Sequence, residues 1–412
     1  MPSTYVLAGE RLNHLVGMVA AATVTPGSDS SYPTVNLYDE SPSKPWRASS
    51  VAADIKITVD LQMTMNGGFE SGLTGWTTVG SVTTSAVART GSLAASIPDT
   101  AILIQDYTCR AGAKYHVGAW IRQLTGTGTG TVYVQCLETG KYWNGTAWVS
   151  SGNIGSNATT SYQEKSSDLV VEGLDVTLSP LVTIRLLFGS LGGANTLVDD
   201  VEFWPWTDFV GVFGHRYVEP IVAPTLRSST DNFAASDTVE ATLTIAQPAF
   251  YARLAAPVGR RYWQLRLTGT PRAAPFIGEL VLGYSHSFGR KPTHPHLSNW
   301  PFQEHRDQIR TTGLRGVIGT SLLSAQPRRT VTLPFHHRSE AEFQEFYRET
   351  WVRSEGGAFP LILVPDSAQP RVLYGLIPED VSYARTTSGA TTEAFYESQL
   401  VVAELAYLTA GL

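Results

Sequence analysis

The sequence is poor in charge, in cysteine and in long apolar runs. Asp, Glu, Lys and Arg make up only 16% of its 412 residues, below the quarter or so usual in soluble domains. Its 30 basic residues form no cluster, and the net charge is −6. Nucleic acid is thereby excluded as a partner, because a phosphate backbone is held by a basic patch or stripe. The two cysteines, Cys109 and Cys136, are too few for a disulfide scaffold. Both lie in strand-like runs, IQDYTCRAG and VYVQCLE, which predicts buried free thiols. No window of about 18 apolar residues occurs, so no membrane insertion is expected. The opening MPSTYVLAGERLNHL lacks a basic segment followed by an apolar one. No secretory signal is therefore expected, and synthesis in a cytoplasm is.

Catalytic signatures are missing too. There is no G-x-S-x-G, no H-E-x-x-H and no P-loop. A glycosidase needs two carboxylates facing one another across a cleft, whereas Glu138, Glu164 and Asp168 fall on separate predicted strands or turns. The expectation is a protein that is not an enzyme. His294 and His296 flank a proline, and the neighbours His336 and His337 would point to opposite faces of a strand. Packed or solvated histidines are expected there rather than a metal site. His215, directly after a strand, reads as a structural turn residue.

What is present points to β structure. Hydrophobic residues reach 42%, aromatics 10% and glycines number 37, with Thr and Ser abundant. Many β-branched residues and many turn formers suit strands whose outer faces are covered by small polar side chains. The length predicts two to four domains. In DIKITVDLQ, Ile55, Ile57, Val59 and Leu61 alternate with polar residues, as a half-buried strand requires. From Asn66 to Phe203 the character changes to short alternating runs bounded by Gly, Asn or Thr, a spacing that suits a β-sandwich. Within it, Asn144-Gly145 between aromatic flanks predicts a hairpin. After about residue 207 the earlier style resumes in DFVGVFGHRY, VEATLTIA, RYWQLRLTG and FIGELVLGYS. A Pro- and His-rich linker near 289 leads to RRTVTLPFHH and a helix. That helix has Ser339 as N-cap, Glu342 three residues on, Phe343, Phe346, Tyr347, Thr350 and Trp351 at helical spacing, and Gly356-Gly357 as its end.

Three resemblances organise these observations. The motifs NGGFESGLTGW, RTGSLAA, KYHVGAWIR and LVDDVEF resemble carbohydrate-binding modules of the xylan- and β-glucan-binding type, over about residues 66–203. The flanking PTVNLYDESPSKPWRAS, ITVDLQ, DFVGVFGHRY, RYWQLRLTG and FIGELVLG resemble a discoidin-like galactose-binding sandwich. Its strand ending in aspartate and the next one, reading V-hydrophobic-hydrophobic-GH, lie about 150 residues apart here, which an insertion explains. RRTVTLPFHHRSEAEFQEFYRETW and AFPLILVPDS resemble domains of long-tailed bacteriophage tail proteins of the distal-tail kind. The expected fold is thus mainly β: a discontinuous discoidin-like sandwich (1–63 and 207–288), an inserted carbohydrate-binding-like sandwich (64–206), and a C-terminal β-rich assembly domain with one α-helix (289–412).

The resemblances imply a structural component of a phage tail tip or baseplate in the virion, homo-oligomeric around the tail axis and contacting other tail proteins. Its insert would project outward, where it could touch host surface polysaccharide. The alternative is a carbohydrate-binding protein with no virion role. Sugars stack on aromatic faces while polar side chains take the hydroxyls. Trp76 and Trp120 lie in core-forming motifs and are expected to be buried. Tyr142, Trp143 and Trp148 surround the Asn-Gly turn and are expected to be exposed, and Tyr133, Gln135 and Tyr162 to sit on a concave face. A protein–protein surface would use exposed aromatics equally well. The module resemblance also implies a structural calcium ion held by Glu70, Asp199 and Asp200, since hard oxygen ligands suit it. Solvated turn acids are the other reading, and no other cofactor is required.

Overall fold

The computed structural model describes residues 5–8, 13–16, 22–39, 45–171, 181–214, 221–243, 249–269, 271, 273–288, 302–305, 308–312, 318–322, 328–358, 360–364, 372–378, 381–387 and 394–404. His215, His294 and His296 lie outside them. The fold is mainly β, with one α-helix among the described residues, Glu340–Tyr347.

The middle of the chain is a sandwich of two antiparallel sheets. The first runs Thr77–Val79, Ile102–Arg110, Leu181–Leu191, Thr129–Cys136, Tyr142–Trp143, Trp148–Val149 across its width. The second runs Gln163–Val170, Lys114–Thr125, Asn195–Pro205, Ala94–Ile97, Thr83–Ser85. Strict alternation builds the core between them. In Leu181–Leu191, Val182, Ile184, Leu186 and Phe188 point inward while the residues between face out. They meet Leu103, Tyr107, Val117, Ile121, Val132, Val134 and Phe203 from neighbouring strands. Cys109 and Cys136 are buried in this core as free thiols. Trp76 is buried as well, edge-on to Phe188 at 5.9 Å. Trp120 differs from expectation: it stands half-buried on the outward phase of Lys114–Thr125, with the Arg89 guanidinium 3.7 Å above its ring. The apolar residues Ala119 and Ile121 on either side take the inward phase instead.

The segments flanking this unit share a second core. Asp54–Asp60 pairs with Tyr262–Gly269, with Ile57 opposite Leu265, in a five-stranded sheet. Thr207–Phe213 lies between Ala249–Val258 and Glu279–Gly283 in a three-stranded one. Ile55, Ile57, Val59 and Leu61 meet Val210, Val212, Trp263 and Leu265 between the two sheets. The chain leaves and re-enters this body at one place. The Met63 amide donates to the Phe203 carbonyl at 2.8 Å, and the Gln62 side chain donates to the Val201 carbonyl at 2.9 Å. Arg261 grips Asp60 with two bonds of 2.8 Å and reaches Glu202 at 4.0 Å.

The third body is a sheet built around Ala394–Glu404, Arg328–His337, Leu361–Val364 and Leu373–Leu376, with the helix against it. Ser339 caps the helix, its hydroxyl accepting the Glu342 amide at 3.2 Å. A π-helical turn over Arg348–Val352 follows, and Gly356 and Gly357 end the segment with φ of 67° and 82°, a backbone region that glycine enters without strain. Phe343 and Phe346 are buried, and Tyr347 and Trp351 pack on the same core, so this aromatic face covers the protein's own sheet. His336 is exposed and His337 buried, its Nε2 at 2.6 Å from Ser398 Oγ.

One boundary moves. Tyr5–Ala8, expected with the first sandwich, instead pairs with Leu361–Val364, and the Val6 side chain is buried with Leu361 and Phe346. A four-residue strand pairs wherever an open sheet edge has a matching apolar slot, and local sequence does not reveal which edge that is. Thr207–Phe213 is buried throughout because it is covered on both faces: Val210 and Val212 look into the second core, Phe209 and Phe213 onto Ile362, Val364 and Tyr374.

Candidate glycan-binding face

Residues paired in register across a sheet project to the same side. On the outer face of the first sheet of the middle unit this builds parallel rows. One row reads Tyr142, Gln135, Arg185, Asp106. The next reads Tyr133, Leu187, Ile104, Thr77. A third reads Thr131, Gly189, Ile102, Val79. Their inward neighbours fill the core, so these side chains are left to face outward.

The first row is polar and preorganised. Arg185 donates to both oxygens of Asp106 at 2.7 Å each, and that bidentate fork fixes both groups. Beside it lies a cavity of about 430 Å³. Its walls include Tyr133, Tyr142, Ile102, Leu187 and Leu191, with Thr100 and Ser151 contributing hydroxyls. The tyrosine rings meet edge to face at 6.2 Å. Gly189 keeps the floor open: a Cβ there would come to 4.0 Å from Tyr133 Cε2. Tyr133, Tyr142 and Gln135 are thus brought together.

The other expected platforms go elsewhere. Trp143 is buried in the core and its indole N–H donates to Ser167 Oγ at 2.9 Å. Trp148, its cross-strand partner, is partly buried against the same core and donates to the Val170 carbonyl at 2.9 Å. Both tryptophans therefore fasten their hairpin to the second sheet, which corrects the exposure expected from their place beside a turn. The hairpin itself forms, with Gly145 at φ 95°. Asn144 holds the turn with its side chain, accepting the Thr146 and Ala147 amides at 3.0 and 2.8 Å, rather than by a positive φ. Tyr162 is also displaced from the expected face. It belongs to the second sheet's side, its hydroxyl donating to the Val87 carbonyl at 2.8 Å beneath Arg122.

Glu70, Asp199 and Asp200 do not converge as a ligand set. Glu70 Oε1 accepts the Ser92 and Leu93 amides at 2.8 and 3.0 Å, and these bonds hold its carboxyl below the usual range. Asp199, fully buried, accepts the Arg89 and Thr90 amides at 2.7 and 3.2 Å. Burial, with Asp200 adjacent, pushes its carboxyl up despite those bonds. Asp200 pairs with Arg89 at 2.6 Å and accepts from the Thr90 hydroxyl. The three acids pin the loop 89–93 through N–H and O–H donors. Among the described residues no three His, Cys, Asp or Glu side chains cluster to hold a metal. The module resemblance implies a calcium ion with at most one of the neighbours Asp199 and Asp200 ligating through its side chain; here the carboxylates of Glu70, Asp199 and Asp200 each accept from the loop 89–93 instead.

Of the carboxylates weighed for catalysis, Glu138 accepts the Thr183 amide at 2.8 Å. Asp168 sits 2.9 Å from His116 Nδ1. Glu164 opens, with Glu202 and Arg261, onto a polar cleft of about 570 Å³. The residues missed by motif reading are Ile102, Leu187 and Leu191. A signal existed: in AILIQDY and VTIRLLFG apolar residues occupy both phases of the alternation, so the outward face had to be apolar as well.

No family model matches the chain, and no curated protein does. Among solved structures it is similar to a family 16 carbohydrate-binding module at 20% identity, covering 34% of this chain and 96% of that one, with a TM-score of 0.26. A CBM22-1 xylan-binding domain from Paenibacillus barcinonensis is similar at 14% identity, covering 34% and 91%, with a TM-score of 0.26. The enzymatically active domain of bacteriophage CBA120 tailspike protein 4 is similar at 17% identity, covering 35% and 21%, with a TM-score of 0.26.

Proposed function

We propose that the chain is a non-catalytic glycan-binding component of a bacteriophage tail tip or baseplate, and that its middle sandwich takes host surface polysaccharide on the Tyr133–Tyr142 face. One observation carries the binding part. Tyr133 and Tyr142, from two strands of one sheet, line an open cavity, and Gln135 stands beside it in register between Tyr142 and the fixed Arg185–Asp106 pair. Ring faces for stacking beside a few preorganised polar groups are what a saccharide site requires. The virion part is supported by the likeness of RRTVTLPFHHRSEAEFQEFYRETW and AFPLILVPDS to tail proteins. In that reading the C-terminal body assembles with other tail proteins and with further copies around the tail axis.

The test pairs two measurements on the full chain. Retention by host-surface polysaccharide is compared between the native protein and Tyr133→Ala and Tyr142→Ala variants, and purified particles are imaged at low resolution for its copy number and position. Retention lost in both variants, with the protein seen at the tail tip, supports the reading. Retention by neither native nor variant protein overturns the binding role. Absence from particles overturns the virion role and leaves a glycan-binding protein.

A further inference from the structure

The cavity beside the polar row is too apolar for a sugar that carries a hydroxyl on every ring carbon. Its far wall is Ile102, Leu187 and Leu191, and Leu191 is 52% exposed there. Val79, 51% exposed and in register with Ile102, extends the same surface. Ser190 adds no hydroxyl to this wall, because it takes the inward phase of its strand and is buried, donating to the Ala194 carbonyl at 2.7 Å and accepting from Thr196 at 3.1 Å. The Arg185 charge is already balanced by Asp106 through Nε and Nη2, which leaves no unpaired guanidinium in the row to neutralise an acidic sugar, while its remaining N–H donors can still serve neutral hydroxyls. A hydroxyl pressed against this wall would lose its water and find no partner, whereas a methyl group would gain from the same contact.

Resting on the glycan reading above, we infer that the pocket walled by Ile102, Leu187 and Leu191 receives the methyl group of a neutral, methyl-bearing pyranose. The methyl belongs either to a 6-deoxyhexose or to an acetyl substituent. The ring lies toward Tyr133 and Tyr142, and its hydroxyls are served by Gln135, the Arg185–Asp106 pair and the rim hydroxyls of Thr100 and Ser151. Gly189 controls the depth of the pocket. It lies mid-strand with no positive φ and room for a Cβ, so a larger side chain there fills the pocket from the outer face and leaves the core untouched.

The test uses the full chain and two matched pairs that differ at one substituent. Free L-fucose is set against L-galactose (methyl against hydroxymethyl), and an N-acetylglucosamine oligomer against the glucose oligomer of the same linkage and length (acetamido against hydroxyl). Binding is read by titration calorimetry for the native protein and for Gly189→Leu. The expected result is a preference of roughly 10-fold or more for the methyl-bearing member of at least one pair, erased in Gly189→Leu at an unchanged melting temperature. The pair that responds identifies the source of the methyl. Equal or tighter binding of the hydroxylated member in both pairs overturns the inference while leaving the glycan reading intact. So does retention by host polysaccharide when none of the four sugars binds. If none of the four binds and host polysaccharide is not retained either, both readings fall together.

Discussion

Trp143 and Trp148 face one another across their hairpin at 5.5 Å, tilted by 59°, and both indole N–H groups point inward to the neighbouring sheet. A hairpin with only two residues in each strand has little ladder to hold it. The paired indoles supply the missing anchorage, since cross-strand aromatic pairs stabilise a sheet locally and bury large area.

Trp143→Ala should therefore destabilise the middle sandwich by about 3–5 kcal/mol, the usual cost of deleting a large buried aromatic. Trp148→Ala should cost less, because Trp148 is only partly buried. Denaturant unfolding of each variant checks this. Native-like stability of Trp143→Ala would show that the hairpin is held by something else.

Tyr133→Ala and Tyr142→Ala should behave in the opposite way. Their rings line a surface cavity rather than the core, so melting should barely change. Glycan binding should weaken by roughly 5- to 150-fold per ring, the equivalent of about 1–3 kcal/mol of stacking and buried area. Parallel melting and binding curves separate loss of contact from loss of fold.

Replacing residues 64–202 by a short Gly/Ser linker should leave a folded, cooperatively melting protein. The entry and exit strands already touch at Met63 and Phe203, so a few residues suffice to close the gap. The replacement removes the Arg261–Glu202 approach, the bond from Arg353 to the Ala111 carbonyl at 3.0 Å, the Gln62 bond to Val201, and the contacts of Lys114 and His116 with Trp206 and Trp204, all between the middle unit and what remains. Absence of any cooperative transition in that protein would refute independent folding of the flanking sandwich.

His14 supplies a pH dependence. It is 5% exposed, donates from Nε2 to the Trp206 carbonyl at 3.1 Å, and its pKa is pushed down to about 3 by burial, with Arg110 adding repulsion. The unfolded chain takes up the proton near pH 6.5 and the folded one does not, so stability falls as pH drops below 6.5 and the loss levels off near pH 3. Between pH 7 and 5 this one group should remove about 2 kcal/mol. His14→Gln keeps a donor and removes the titration. The difference between native and variant stability at the two pH values should shrink by that amount. An unchanged difference would show that His14 is solvated.

Much of the architecture was legible because it depends on short-range periodicity. Ile55, Ile57 and Val59 alternate and are buried; Ser339 precedes Glu342 and caps the helix; Asn144-Gly145 turns the chain. Each follows from steric and hydrogen-bonding rules that act over a few residues. The candidate face was legible only in part. Tyr133 and Gln135, expected on one concave face with Tyr162, do share one phase of one strand, but Tyr162 lies on the other side of the unit, and nearness to a turn does not give Tyr142, Trp143 and Trp148 a common exposure. Side chains one residue apart on a strand face opposite ways, and only the position of the second sheet shows that Trp143 has an interior to enter while Tyr142 does not.

By itself, then, the sequence determined the β class, the strand phases, the helix cap and the two buried thiols, all of which local chemistry dictates. Tertiary structure alone decided which sheet edge receives Tyr5–Ala8, which face Trp143 and Tyr162 occupy, and that Glu70, Asp199 and Asp200 each meet amide donors of one loop instead of each other. These outcomes turn on contacts between segments tens to hundreds of residues apart. A side chain's partner there is set by how the layers pack, and no spacing along the chain records it.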